Sequence, residues 1–180
     1  TEDVQLALEM YVRSALRGIG PASLKDAFML EDVTQLGGAP DLLQPHTCVA
    51  PVQLVVLGSW FLTRGIEATA ARISHVTFTQ EEFGVDTLVN WLLPVSKTDV
   101  QARGTVRSLP CTCLPSDPLS VILCPLHAAL SLGKTVKAYF GPEFVADGQN
   151  PHFPNAHGKA SSKDGFIWMA RRSSSAWRSG

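Results

Sequence analysis

Long apolar runs are missing from this sequence. No window of its 180 residues stays apolar long enough to span a bilayer, and its first residues lack a basic stretch followed by an apolar one. The reading is neither a membrane helix nor a secretory signal, so the nucleus or the cytoplasm is the expected compartment. Charge of one sign is missing too. Fifteen Lys and Arg stand against sixteen Asp and Glu, which excludes bulk attraction to nucleic acid or to an anionic membrane. Any DNA contact must come from a local group of basic residues. The acids lie mostly before Val100, whereas Arg103, Arg107, Lys134, Lys137, Lys159, Lys163, Arg171, Arg172 and Arg178 follow it. Cysteine is sparse, with four residues. Three of them (Cys111, Cys113 and Cys124) sit in one short stretch beside His127, a pattern that favours a metal site over a disulfide framework.

What is present fits a folded core. Hydrophobic residues make up 45% and charged residues 17%, which is globular rather than disordered composition, and the length suits one ordinary domain or one domain with a small appendage. Residues 3–17 have helical spacing and stop at Gly18 and Gly20. Ser23 can cap a short helix over 24–30, and 37–45 reads as loop. Pro51 suits a first helical turn, and the helix from there is expected to run to about Arg64, apolar nearly all round and central to the core. A short helix is expected around 67–73 and a strand around 75–79. Residues 87–93 read as a strand whose alternation puts Val89, Trp91 and Leu93 on one face. A return strand over 105–109 completes a hairpin with Lys97 near its tip.

The stretch 111–124 is expected to be a Pro- and Ser-rich loop and 125–140 a helix. Residues 141–159 read as a loop anchored by Phe153, 161–170 as a last short helix, and 171–180 as a frayed tail. The fold class is therefore α+β, mainly helical, with an antiparallel sheet of about three strands. The domain reading is a helical segment over 1–45, a main domain over 46–170 containing the Cys/His loop 111–127, and the tail.

Arg64 and Glu67 stand three residues apart just beyond the apolar run 51–62. Taken alone, such a pair is most often a surface ion pair at helical spacing. Its context adds to this. GSWFLTRGIEATAARISHVTF (58–78), then NWLLPVSKTDVQARGTVRSLPC (90–111), then PHFPNAHGKASS (151–162) resembles the layout of the tyrosine recombinase (phage integrase) catalytic domain. The divergent recombinases of eukaryotic mobile elements are the most similar in kind.

The resemblance covers about 51–163. It implies double-stranded DNA as partner, with possible assembly of copies on it, and Arg64 as the first catalytic arginine. A guanidinium suits a phosphodiester because its planar fork donates two parallel hydrogen bonds and keeps its charge. Glu67 would hold that fork, and Lys97 would be the hairpin lysine that protonates the departing oxygen. Taken alone, Lys97 is an exposed turn lysine.

Tyrosine is the telling shortage. The family needs a His-x-x-Arg and, near the end of its domain, a nucleophilic tyrosine. None of the five histidines is followed by arginine three residues on, and the only tyrosines, Tyr11 and Tyr139, come too early. The chain ends about where the His-x-x-Arg helix is expected. Without the nucleophile there is no covalent step, so the expected activity is DNA binding by a remnant or fragment rather than strand cleavage. The alternative is a zinc-stabilised interaction domain with no enzymatic history.

Cys111-x-Cys113 and Cys124-x-x-His127 form two pairs of ligands. They are expected to hold a structural zinc in closed tetrahedral coordination, with no open position for catalysis. Without a metal they would be three small buried residues and a surface histidine. Cys48 is expected to be a buried or free thiol.

Overall fold

The computed structural model describes Gln5, Val33 and residues 46–80, 84–93, 104–114, 116–162 and 164–165. The expected helices before residue 46, Lys97 and its turn, most of the 161–170 helix and the tail lie outside the described residues. Among the described residues there are five α-helices and one three-stranded antiparallel sheet, the α+β arrangement expected. None of these helices is long and apolar enough to cross a membrane.

Pro51 opens helix α1 (Pro51–Trp60) in its first turn, where its missing N–H costs nothing. Leu54, Val55, Val56, Leu57 and Gly58 are all buried, so this helix is central to the core as its composition demands. It ends four residues earlier than expected. Leu62 adopts φ 51°. Its N–H bonds to the Ser59 carbonyl (3.3 Å), and Thr63 N–H bonds to the Gly58 carbonyl (3.0 Å). That pair of bonds is a Schellman ending with leucine in the left-handed position usually given to glycine. Helix α2 (Gly65–Thr69) follows, then a 3-10 turn (Ile73–His75).

The sheet is a meander of β1 (Val76–Gln80), β2 (Asp86–Leu93) and β3 (Thr105–Pro110), with β2 in the middle. The register sets Val76 opposite Trp91 and Trp91 opposite Arg107. Val89, Trp91 and Leu93 are buried, as their alternation requires. Trp91 is the hub of the core: its ring meets Phe61 edge-on at 5.2 Å and lies 5.7 Å from Phe153 and 6.2 Å from His152.

Two stretches read as loop contain helix. α3 (Pro118–Leu123) is capped by Asp117, whose carboxylate accepts from Leu119 N–H. α5 (Pro142–Ala146) starts just after Gly141, which stands at φ 89° and ends the long helix α4 (Pro125–Phe140). α4 packs against α1 and β2. Its buried residues Leu126, Ala129, Leu132 and Val136 recur at helical spacing, while Lys134 and Lys137 face out. Phe153 is buried as expected. Its segment is stitched to the rest by His152 N–H to the Ala71 carbonyl (2.9 Å) and Val49 N–H to the Pro154 carbonyl (3.0 Å).

Candidate functional site

The metal-ligating residue types converge. Cys111 and Cys113 leave the end of β3, Cys124 is the residue before α4, and His127 lies in the first turn of α4, three residues on. That spacing puts Cys124 and His127 on the same side of the helix start. One potential ligand atom from each of the four residues lies within 4.8 Å of every other. Cys111 Sγ is 3.8 Å from Cys124 Sγ and 3.8 Å from His127 Nδ1, and Cys113 Sγ is 3.2 Å from His127 Nδ1.

These separations can be compared with a tetrahedral ion. Thiolate bonds of about 2.3 Å at tetrahedral angles give a sulfur–sulfur edge of about 3.8 Å, and an imidazole ligand shortens the edge to about 3.5 Å. The observed edges bracket those values, so the four residues could bind a metal without moving far.

The electrostatics point the same way. Burial opposes ionisation of Cys124, but hydrogen bonds from His127 and Thr112, including Thr112 N–H at 3.3 Å, outweigh it and bring the thiol down to about 6. Cys113 is pushed up, first by burial and then by the two neighbouring thiols. Without a cation Cys124 is thus favoured as the thiolate and Cys113 as the thiol, because an anion at Cys113 would face the one at Cys124. A divalent ion removes that penalty and lets all three thiols ionise. Cys48, by contrast, is buried away from the cluster and pushed up to about 12 by that burial, which makes it an inert core residue.

The loop between the ligand pairs is folded on itself. Ser120 Oγ accepts from Leu114 N–H (2.9 Å), and Asp117 caps α3. Leu114, Leu119, Val121 and Ile122 are nonetheless exposed, so little apolar burial holds this segment.

Arg64 occupies the N-cap of α2 with its main chain extended. Glu67 does not grip its guanidinium. The Glu67 carboxylate accepts from the Arg64 backbone N–H at 2.8 Å, the half of a capping box that an arginine cap allows. The pair therefore fixes the Arg64 backbone rather than its fork. The guanidinium is exposed and, among the described residues, has no partner. Just before it, the Thr63 hydroxyl oxygen is buried and, among the described residues, has no hydrogen-bond partner.

Two contacts tie the turn from α1 to Arg64 to the rest of the molecule. Trp60 donates its indole N–H to the Leu123 carbonyl (2.7 Å), and the Arg107 guanidinium donates to the Phe61 carbonyl. Both acceptors are backbone carbonyls, which carry no side-chain signature, so sequence reasoning missed these contacts. The only signal was an indole at the close of an apolar helix, which needs a partner when it packs. Lys97 lies in the connection 94–103 between β2 and β3, outside the described residues. Thr105, where β3 begins, is two residues, or about 7 Å, from Arg107 along the strand.

Comparison of the chain with protein-family models, with curated proteins and with solved structures finds no match.

Proposed function

We propose that this chain is a DNA-binding portion of a tyrosine-recombinase-like catalytic domain, and that Cys111, Cys113, Cys124 and His127 hold a structural zinc in it. The observation that carries the reading is the state of Arg64. Its backbone is locked by Glu67 while its guanidinium is exposed and, among the described residues, uncommitted. A surface ion pair with Glu67 would have used up the fork; a phosphate contact needs it open. Support also comes from the order of elements: an apolar helix, the arginine turn, then an antiparallel meander whose second connection carries Lys97.

In this reading Arg64 donates to the non-bridging oxygens of a DNA phosphate, and Lys97 approaches the same phosphate from the hairpin. No residue is assigned the nucleophile's role. Tyr139 lies on the exposed side of α4, beside Phe140, and precedes the Phe153 segment. The chain therefore holds DNA without cutting it. Zinc, when bound, neutralises the thiolates and joins the end of β3 to the start of α4. All four positions are filled by protein, so it takes no part in phosphate chemistry.

Binding of labelled duplex DNA, followed by fluorescence anisotropy across a salt series, tests the reading. Arg64→Ala should bind more weakly on every sequence, and its log–log salt slope should fall by about one unit for the lost phosphate contact. Equal affinity and slope in wild type and variant would refute it. The competing reading is a zinc-stabilised interaction domain without a DNA role. The Cys/His quartet favours it, because four converging ligands suit a structural metal site that needs no DNA role. Absence of duplex binding by zinc-loaded wild type would select that reading.

A further inference from the structure

We propose that the Cys/His site acts as a clasp that holds the Arg64 turn in place, with Trp60 as the positioning residue through which it acts. This rests on reading the quartet as a metal site and deepens the proposed function by giving Arg64 a metal-dependent geometry.

The turn of residues 61–64 is held from both sides, and both holds lead to the quartet. On one side Trp60 bonds to the carbonyl of Leu123, the residue immediately before Cys124. On the other, Arg107 bonds to the Phe61 carbonyl, and four residues further along the same strand and its exit stands Cys111. Cys111 and Cys113 belong to the β3 side and Cys124 and His127 to the α4 side.

Among the described residues, the polar links between the two ligand pairs run through sulfur: Thr112 N–H to Cys124 Sγ, and the thiol and imidazole contacts of the quartet itself. Contacts of this kind are weak until a metal replaces them with coordinate bonds. With the ion bound, Leu123 and Arg107 are fixed relative to each other and the turn between their partners is fixed with them. With the ion removed, the segment carrying Leu123 keeps the Trp60 bond, its bonds to Leu114 and the packing of Leu123 and Cys124 on the core, while Leu119, Val121 and Ile122 stay exposed, so its hold on the turn is looser. The turn also has a built-in tendency to relax, since Leu62 holds a left-handed conformation that leucine disfavours.

Amide hydrogen exchange of the full chain tests the clasp without DNA. The probes are the Thr63 and Arg64 amides, bonded to the Gly58 carbonyl and the Glu67 carboxylate. The reference amides are Leu132 and Val136, inside α4. Stripping zinc with a chelator should speed exchange at Thr63 and Arg64 by about tenfold relative to the references.

Chelation could instead unfold the whole domain, in which case all four amides accelerate together and Trp60→Phe at saturating zinc decides. That variant keeps an aromatic ring and the full ligand set but loses the N–H donor. It should bind zinc with wild-type stoichiometry and still exchange about fivefold faster at Thr63 and Arg64, the effect of one lost hydrogen bond. Wild-type exchange in zinc-loaded Trp60→Phe would overturn the clasp, as would identical exchange in loaded and stripped wild type. DNA affinity, measured in parallel, separates the two proposals. Coupled exchange with unaltered DNA affinity would keep the clasp and remove Arg64 from DNA recognition.

Discussion

Lowering the pH from 7 to 5 should take about 2 kcal/mol from this fold through a single side chain, His152. Its ring is packed among Trp91 and Phe153, its Nε2 has no hydrogen-bond partner among the described residues, and burial, helped by the nearby His75, brings it from 6.5 down to about 3. The folded protein therefore keeps the imidazole neutral, whereas the unfolded chain binds a proton as the pH passes 6.5. Stability from this source is intact above 6.5, falls as the pH drops below it, and levels off below about 3, where both states are charged. Each pH unit within that window is worth about 1.4 kcal/mol, so the 1.5 units from 6.5 to 5 give about 2 kcal/mol. For a domain with a total stability of roughly 5–15 kcal/mol that is a large fraction.

The assay is urea unfolding of wild type and His152→Leu at pH 7 and pH 5. Cys124 and His75 also respond to acid, but both proteins carry them, so the comparison cancels them to first order. Wild type should lose about 2 kcal/mol more than the variant between the two pH values. Equal losses would mean that His152 accepts a proton inside the fold, and the reasoning from burial would be wrong.

Purified wild type should take up one zinc per chain, and Cys113→Ser should lose most of that uptake; metal analysis after dialysis would check it, and a wild type that takes up none would dispose of the site. Asn155→Ala should destabilise by about 1–3 kcal/mol, because the Asn155 side-chain Oδ1 accepts from both His157 N–H (2.9 Å) and Lys159 N–H (3.0 Å) at a buried position. Thermal unfolding would show it as a drop of several degrees, and an unchanged midpoint would mean water replaces those bonds freely.

The parts of the fold that could be read from the sequence are those whose signals are local. Helix α4 was legible to the residue because Pro125 marks its start and Gly141 its end. The strands were legible because β-branched and aromatic residues alternate along them, and the ligand quartet because thiols and an imidazole are few and clustered. Helix α3 was misread although Asp117 and Pro118 spell out a cap and a first turn; the proline content of the stretch outweighed that pair. The end of α1 could not be read, since a leucine rather than a glycine takes the left-handed position and no stop signal appears. Glu67 was assigned to the wrong part of Arg64 for a general reason. Spacing puts a carboxylate near a residue, but only three-dimensional structure tells whether it meets the side chain or the main chain.

That leucine has a further consequence. A glycine would be at ease in that position, whereas leucine gives up about 1 kcal/mol to hold it. The elbow between α1 and α2 therefore keeps its shape only while the bonds from Leu62 and Thr63 back to the helix hold it. In the proposed DNA-binding reading, whatever loosens those two bonds also changes the direction in which Arg64 is offered to its phosphate.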